Sequence, residues 1–186
     1  MVSAPTLHVV STEPAVGSFA MAGVAFVLAG LASHGWFNLK RHLKLADHVA
    51  HFALAFGLFA MPFAMVTGIQ SSPGEGVDPP LLINKMFLGS AAIGLALGVL
   101  LTRRRLGEHV WNDEWGRRWQ SLGGLSAVGL VLLTASIGGT FTRGESLLDL
   151  FKLPYDTVPL MPVWLSGIVL LVAIGNLLAM RRGRAA

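Results

Sequence analysis

Five stretches of this chain, residues 15–36, 49–69, 82–102, 122–141 and 158–180, are each about as long as a bilayer is thick, and their one charged side chain is Lys85. A helix needs about 20 mainly apolar residues to cross a hydrocarbon core roughly 30 Å thick. Lys85 stands near the end of its stretch, where a long side chain reaches back to the headgroups. Backbone amides inside lipid find no water, so uninterrupted apolar runs of this length fold as helices and not as isolated strands. The expectation is an all-α integral membrane bundle of about five transmembrane helices with two short interfacial helices. With 53% hydrophobic and 13% charged residues and only short connections, residues 1–186 read as a single transmembrane domain.

The net charge of +4 reflects topology, because the basic residues are segregated along the chain. Lys40, Arg41 and Lys44 follow the first run, Arg103, Arg104, Arg105, Arg117 and Arg118 the third, and Arg181, Arg182 and Arg184 the fifth. Only Lys85, Arg143 and Lys152 fall on the other side. The positive-inside rule then predicts an outer amino terminus and a cytoplasmic carboxyl terminus. It also predicts contact with anionic lipid headgroups and no nucleic-acid partner. The first residues carry Glu13 and no Lys or Arg, unlike a signal peptide, so the first run is expected to be retained. The chain has no cysteine, which excludes disulfides, thiolate metal sites and cysteine-held iron–sulfur clusters built from it alone.

Local signals refine the bundle. Asp47 suits the start of the second helix as a cap, and Pro62 should kink that helix. Ser90, Gly94 and Gly98 strip one face of the third helix and predict close approach of a neighbour there. Trp111, Trp115 and Trp119 recur every four residues between two arginine clusters, which predicts a helix over 103–120 lying flat on the cytoplasmic interface. Ser146 and Asp149 predict a capped second interfacial helix ending at Pro154. Asn176 in the fifth run needs a partner within the bilayer.

Candidate chemistry centres on histidine. Of six histidines, His34, His42, His48, His51 and His109 fall near the cytoplasmic side. His48 and His51 lie one turn apart on the second helix, and His34 ends the first. A b-type haem needs an axial imidazole, commonly two from facing helices, so His51 opposed by His34 or His48 is the candidate ligand set. The alternatives are headgroup-contacting histidines, or a metal site of Asp47, His48 and His51 joined by Glu108, His109, Asp113 or Glu114. Met61 and Met65 read as packing residues, and the tryptophans as interfacial anchors.

His51-Phe52 leading to Thr67-Gly68, followed by Asn84-Lys85-Met86-Phe87-Leu88-Gly89 running to Arg103, resembles the small b-type cytochromes that anchor dehydrogenases and hydrogenases. It is similar too to uncharacterised bacterial four-helix membrane families with a His-Phe signature, which also end a helix like Ile137-Gly138-Gly139. The resemblance implies a multi-pass subunit of a respiratory or photosynthetic electron-transfer complex in the bacterial inner membrane, associating with other membrane subunits and holding at most one haem b. In those cytochromes the position of Asn84 is usually a haem-ligating histidine and the helix matched by 122–141 usually carries another; here both are absent, so the resemblance implies no two-haem wire. The other reading is a cofactor-free structural or assembly subunit of such a complex. Both favour a non-catalytic subunit over an enzyme. A transporter fits less well, since the spans hold no acid–base pair and no internal repeat.

Overall fold

The computed structural model describes residues 3–71, 80–146, 149–152 and 163–182. Five helices run through them: α1 Ala4–Ser33, α2 Leu43–Gln70, α3 Pro80–Leu106, α4 Glu114–Arg143 and α5 Val163–Arg182. The first four have 27 to 30 residues and are long and apolar enough to cross a membrane. At 1.5 Å per residue they measure roughly 40–45 Å and outreach the hydrocarbon. α5 has 20 residues and is apolar over Gly167–Ala179; residues 158–162 of the expected fifth span lie outside the described residues. The chain is therefore an all-helical, multi-pass membrane bundle.

Its surface is inverted relative to a soluble protein. Phe52, Phe56, Phe59, Phe63 and Val66 are exposed along α2, whereas Asp47, His51, Asn84, Gln120 and Asn176 are buried. Hydrocarbon accepts the phenyl rings at no cost, and the polar groups find partners only between helices.

α4 is central and packs against α1, α3 and α5, while α1 also lies along α2. Small residues set that spacing. Ala22, Ala25, Ala29 and Ala32 of α1 and Ala46, Ala50 and Ala53 of α2 are all buried, so the two backbones approach closely. Phe19, Phe26, Leu54, Leu88, Val99 and Ile137 fill the remaining core. Two glycines accept those rings directly. A Cβ built at Gly57 would lie 2.6 Å from Phe19, and one at Gly124 would lie 2.6 Å from Phe26. The glycines expected to do this on α3 do not, since a Cβ at Gly94 or Gly98 meets nothing within 4 Å. Close approach is made on α2 and α4, and the Ser90–Gly94–Gly98 face of α3 is left open.

Three further expectations are corrected. α1 begins at Ala4, not near residue 15, with the Ser3 hydroxyl accepting from the Thr6 amide. Its polar first turns are tolerated because His8 and Ser11 hydrogen-bond the Thr67 hydroxyl of α2, at 3.2 and 2.6 Å. α2 begins at Leu43, so Asp47 lies inside the helix and is not its cap. Residues 103–120 do not form one flat interfacial helix. α3 continues to Leu106, Gly107 turns the chain at φ +62°, a 3-10 segment spans Gly107–Trp111, and α4 starts afresh at Glu114. Asp113 caps α4 through its Oδ2, which accepts from the Gly116 amide at 2.6 Å.

At the other end of the molecule, Asp149 Oδ2 accepts from the Ser146 amide at 2.8 Å, one half of the expected capping box. The described structure there is a single 3-10 turn, Asp149–Phe151. Leu147, Pro154 and residues 72–79 of the connection between α2 and α3 lie outside the described residues.

Candidate functional site

The ends of α1, α3 and α5 and the starts of α2 and α4 share one end of the bundle, and most of the basic residues are there. Between α1 and α2 the chain reverses sharply, with Gly35, Phe37 and Asn38 all at positive φ. Glycine adopts that region freely, but a phenylalanine there is strained. The turn drops α2 beside α1 and brings Asp47 to face α3.

Asp47, 1% exposed, is the centre of the site. Arg103 approaches it from α3, its Nε 3.0 and 2.9 Å from the two carboxylate oxygens and its Nη2 2.5 Å from Oδ2. The buried indole of Trp111 donates to Oδ1 at 2.6 Å. His51, one turn further along α2, has its Nδ1 2.7 Å from the Asp47 carbonyl oxygen and 3.0 Å from Oδ1. A buried carboxylate is stable only when its lone pairs are answered by donors and its charge by a cation. Here a guanidinium, an indole and an imidazole supply them.

The network continues inward through Gln120 of α4. Its amide nitrogen donates to the Val99 carbonyl at 3.0 Å and lies 2.7 Å from His51 Nε2. A carbonyl can only accept, so the nitrogen of the Gln120 amide must face Val99, and its second hydrogen points at His51 Nε2. In this arrangement His51 accepts at Nε2 and donates from Nδ1. The Phe26 ring closes the remaining side, edge-on to the imidazole with centroids 5.3 Å apart.

These positions decide how the expected ligands are arranged. His51 is buried, with hydrogen-bond partners at both ring nitrogens and the Phe26 ring against it. His34 is exposed, with Nδ1 2.9 Å from the Gly30 carbonyl of its own helix. His48 is also exposed, 3.8 Å from Glu108, which holds Lys44 at 3.3 Å. A three-residue step rotates a helix by 300°, leaving a 60° offset, and that offset turns His51 inward and His48 outward. The structure thus does not bring His34, His48 and His51 together. Nor does it assemble the alternative metal set: Asp47–His51 and His48–Glu108 are two separate pairs. Among the described residues no group of three or more His, Asp or Glu could hold a metal ion.

Arg103, Trp111, Gln120 and Phe26 are the members that sequence reasoning missed. The tryptophans do not form an anchor stripe. Trp111 is buried on Asp47, Trp115 stacks edge-on with Trp119, and Trp119 packs against Gly175 of α5. Gln120 did carry a signal, since Gln120, Gly123, Gly124 and Ala127 fall at i, i+3, i+4 and i+7, the spacing of one inward face. Asn176 is buried where α5 crosses α4, a Cβ at Gly123 lying 2.6 Å from its amide nitrogen. Its donated bond goes to the Val172 carbonyl of its own helix at 2.9 Å, a partner within the bundle. No protein-family model, curated protein or solved structure matches the chain.

Proposed function

We propose that this protein is a cofactor-free structural subunit of a larger membrane assembly, carried in a bacterial inner membrane with its amino terminus outside and its basic end in the cytoplasm. The orientation follows from the segregation of Lys and Arg, and the bacterial setting from the resemblance to the small cytochrome-like families. The observation that carries the reading is the buried polar network that links three helices at the basic end. Asp47, Arg103, Trp111, His51 and Gln120 are hydrogen-bonded to one another and tie α2, α3 and α4 together, so they act as a fastening and not as a reaction centre. The open Ser90–Gly94–Gly98 face of α3 supplies the kind of surface on which a neighbouring subunit's helix packs closely.

The test has two parts. A reduced-minus-oxidised visible spectrum of the protein purified in mild detergent should be flat in the Soret and alpha regions. A stoichiometric haem signal that disappears in His51→Ala would overturn the structural reading in favour of a haem-carrying electron-transfer subunit. In the native membrane, Gly94→Leu should release the protein from its co-purifying partners without unfolding it, since a Cβ at this exposed position meets nothing within 4 Å. Undiminished co-purification would remove α3 from the interface.

A further inference from the structure

Beside the fastening, but outside it, lies an open cavity of about 600 Å³ whose walls include Lys40, Arg41, Lys44, Glu108, His109 and Trp111. It is bounded by the strained turn after α1, the first turn of α2 and the 3-10 segment after α3. Its charges are unevenly answered. Glu108 is occupied by Lys44 at 3.3 Å and Asp47 by Arg103. Among the described residues no carboxylate lies within ion-pair distance of Lys40 or Arg41. Exposed Trp36 and Phe37 precede these two cations in sequence. Aromatic rings in that setting rest at the level of lipid headgroups, which puts the cavity at the depth where lipid phosphates lie.

We propose that this cavity is a binding site for the phosphate-bearing headgroup of an anionic glycerophospholipid. Lys40 and Arg41 meet the phosphate, and the Trp111 indole and the Leu43 side chain give the glycerol backbone an apolar wall. The acyl chains leave along the exposed side of the bundle. A lipid held here bridges the α1–α2 turn and the α3–α4 connection, the two segments of this end that are least regular.

Native mass spectrometry of the intact protein, delipidated and then offered phosphatidylglycerol or phosphatidylcholine, reads the site directly. The wild type should retain one phosphatidylglycerol and little phosphatidylcholine. Lys40→Gln with Arg41→Gln should weaken that retention by about tenfold or more, at roughly fivefold per cation near a membrane surface. Arg104→Gln with Arg105→Gln removes the same charge from neighbouring exposed residues that do not line the cavity, and should leave retention unchanged. A lipid-induced rise in melting temperature, present in the wild type and the Arg104/Arg105 variant and absent in the Lys40/Arg41 variant, gives a second readout. Equal loss in both double variants would reduce the effect to general surface charge and overturn the proposal. So would equal retention of the two lipids, or displacement of the lipid by millimolar inorganic phosphate, which would identify a free-anion site.

Discussion

Replacing Arg103 by leucine should be the most damaging single change at the basic end. The substitution keeps an apolar stem of similar course but removes the three contacts of 2.5 to 3.0 Å that the guanidinium makes to both carboxylate oxygens of Asp47. Asp47 then remains buried with one indole and one imidazole donor and no cation. Removing one partner of a buried ion pair costs about 3–5 kcal/mol, because the other charge is stranded; replacing both by apolar residues is often close to neutral. The double change Asp47→Leu with Arg103→Leu should therefore be more stable than Arg103→Leu alone, although it leaves the Trp111 N–H without its acceptor at about 1.5–3 kcal/mol. Equilibrium unfolding in mixed micelles, followed by tryptophan fluorescence for the wild type, both single variants and the double variant, completes the cycle. A loss below about 1 kcal/mol for Arg103→Leu, or strictly additive single effects, would refute the reasoning and show that water reaches the carboxylate.

Three other outcomes test separate parts of the structure. Trp111→Phe preserves the buried ring but removes the 2.6 Å bond to Asp47, and should cost about 1.5–3 kcal/mol, the scale of a bond to a charged group, in the same unfolding assay. Gly124→Ala places a methyl 2.6–2.7 Å from three Phe26 ring atoms and should cost about 1–3 kcal/mol by overpacking; Phe26→Leu in the same chain should recover part of it, and no recovery would move the clash elsewhere. His34→Ala, at an exposed position, should change stability by less than about 0.5 kcal/mol, whereas His51→Ala should destabilise markedly, a contrast that equal positions in a ligand pair would not produce.

The candidate site was only partly legible in the sequence. His51 stood out because an ionisable side chain within an apolar run needs a reason to be there, and it is indeed buried and partnered. Its partners were hidden. Arg103 belonged to a run of arginines that all read as topology, and Trp111 to a periodic tryptophan series that all read as anchors. Only one member of each group reaches Asp47, and sequence spacing cannot single it out when a turn at Gly107 resets the helical phase between them.

Length and hydropathy determined the helices and their number, because hydrocarbon leaves a long apolar run one way to satisfy its backbone, and that requirement is local. The segregation of Lys and Arg determined which helix ends share a side. Tertiary structure alone decided which polar groups meet. Asp47 and Arg103, 56 residues apart, form a pair because the left-handed turn at 35–38 and the break at 107 set the rotation of α2 against α3 and α4. That same rotation engages His51 with Gln120 and leaves Gly94 facing outward. Rotation about a helix axis changes no residue's hydropathy, so hydropathy by itself could not have chosen it.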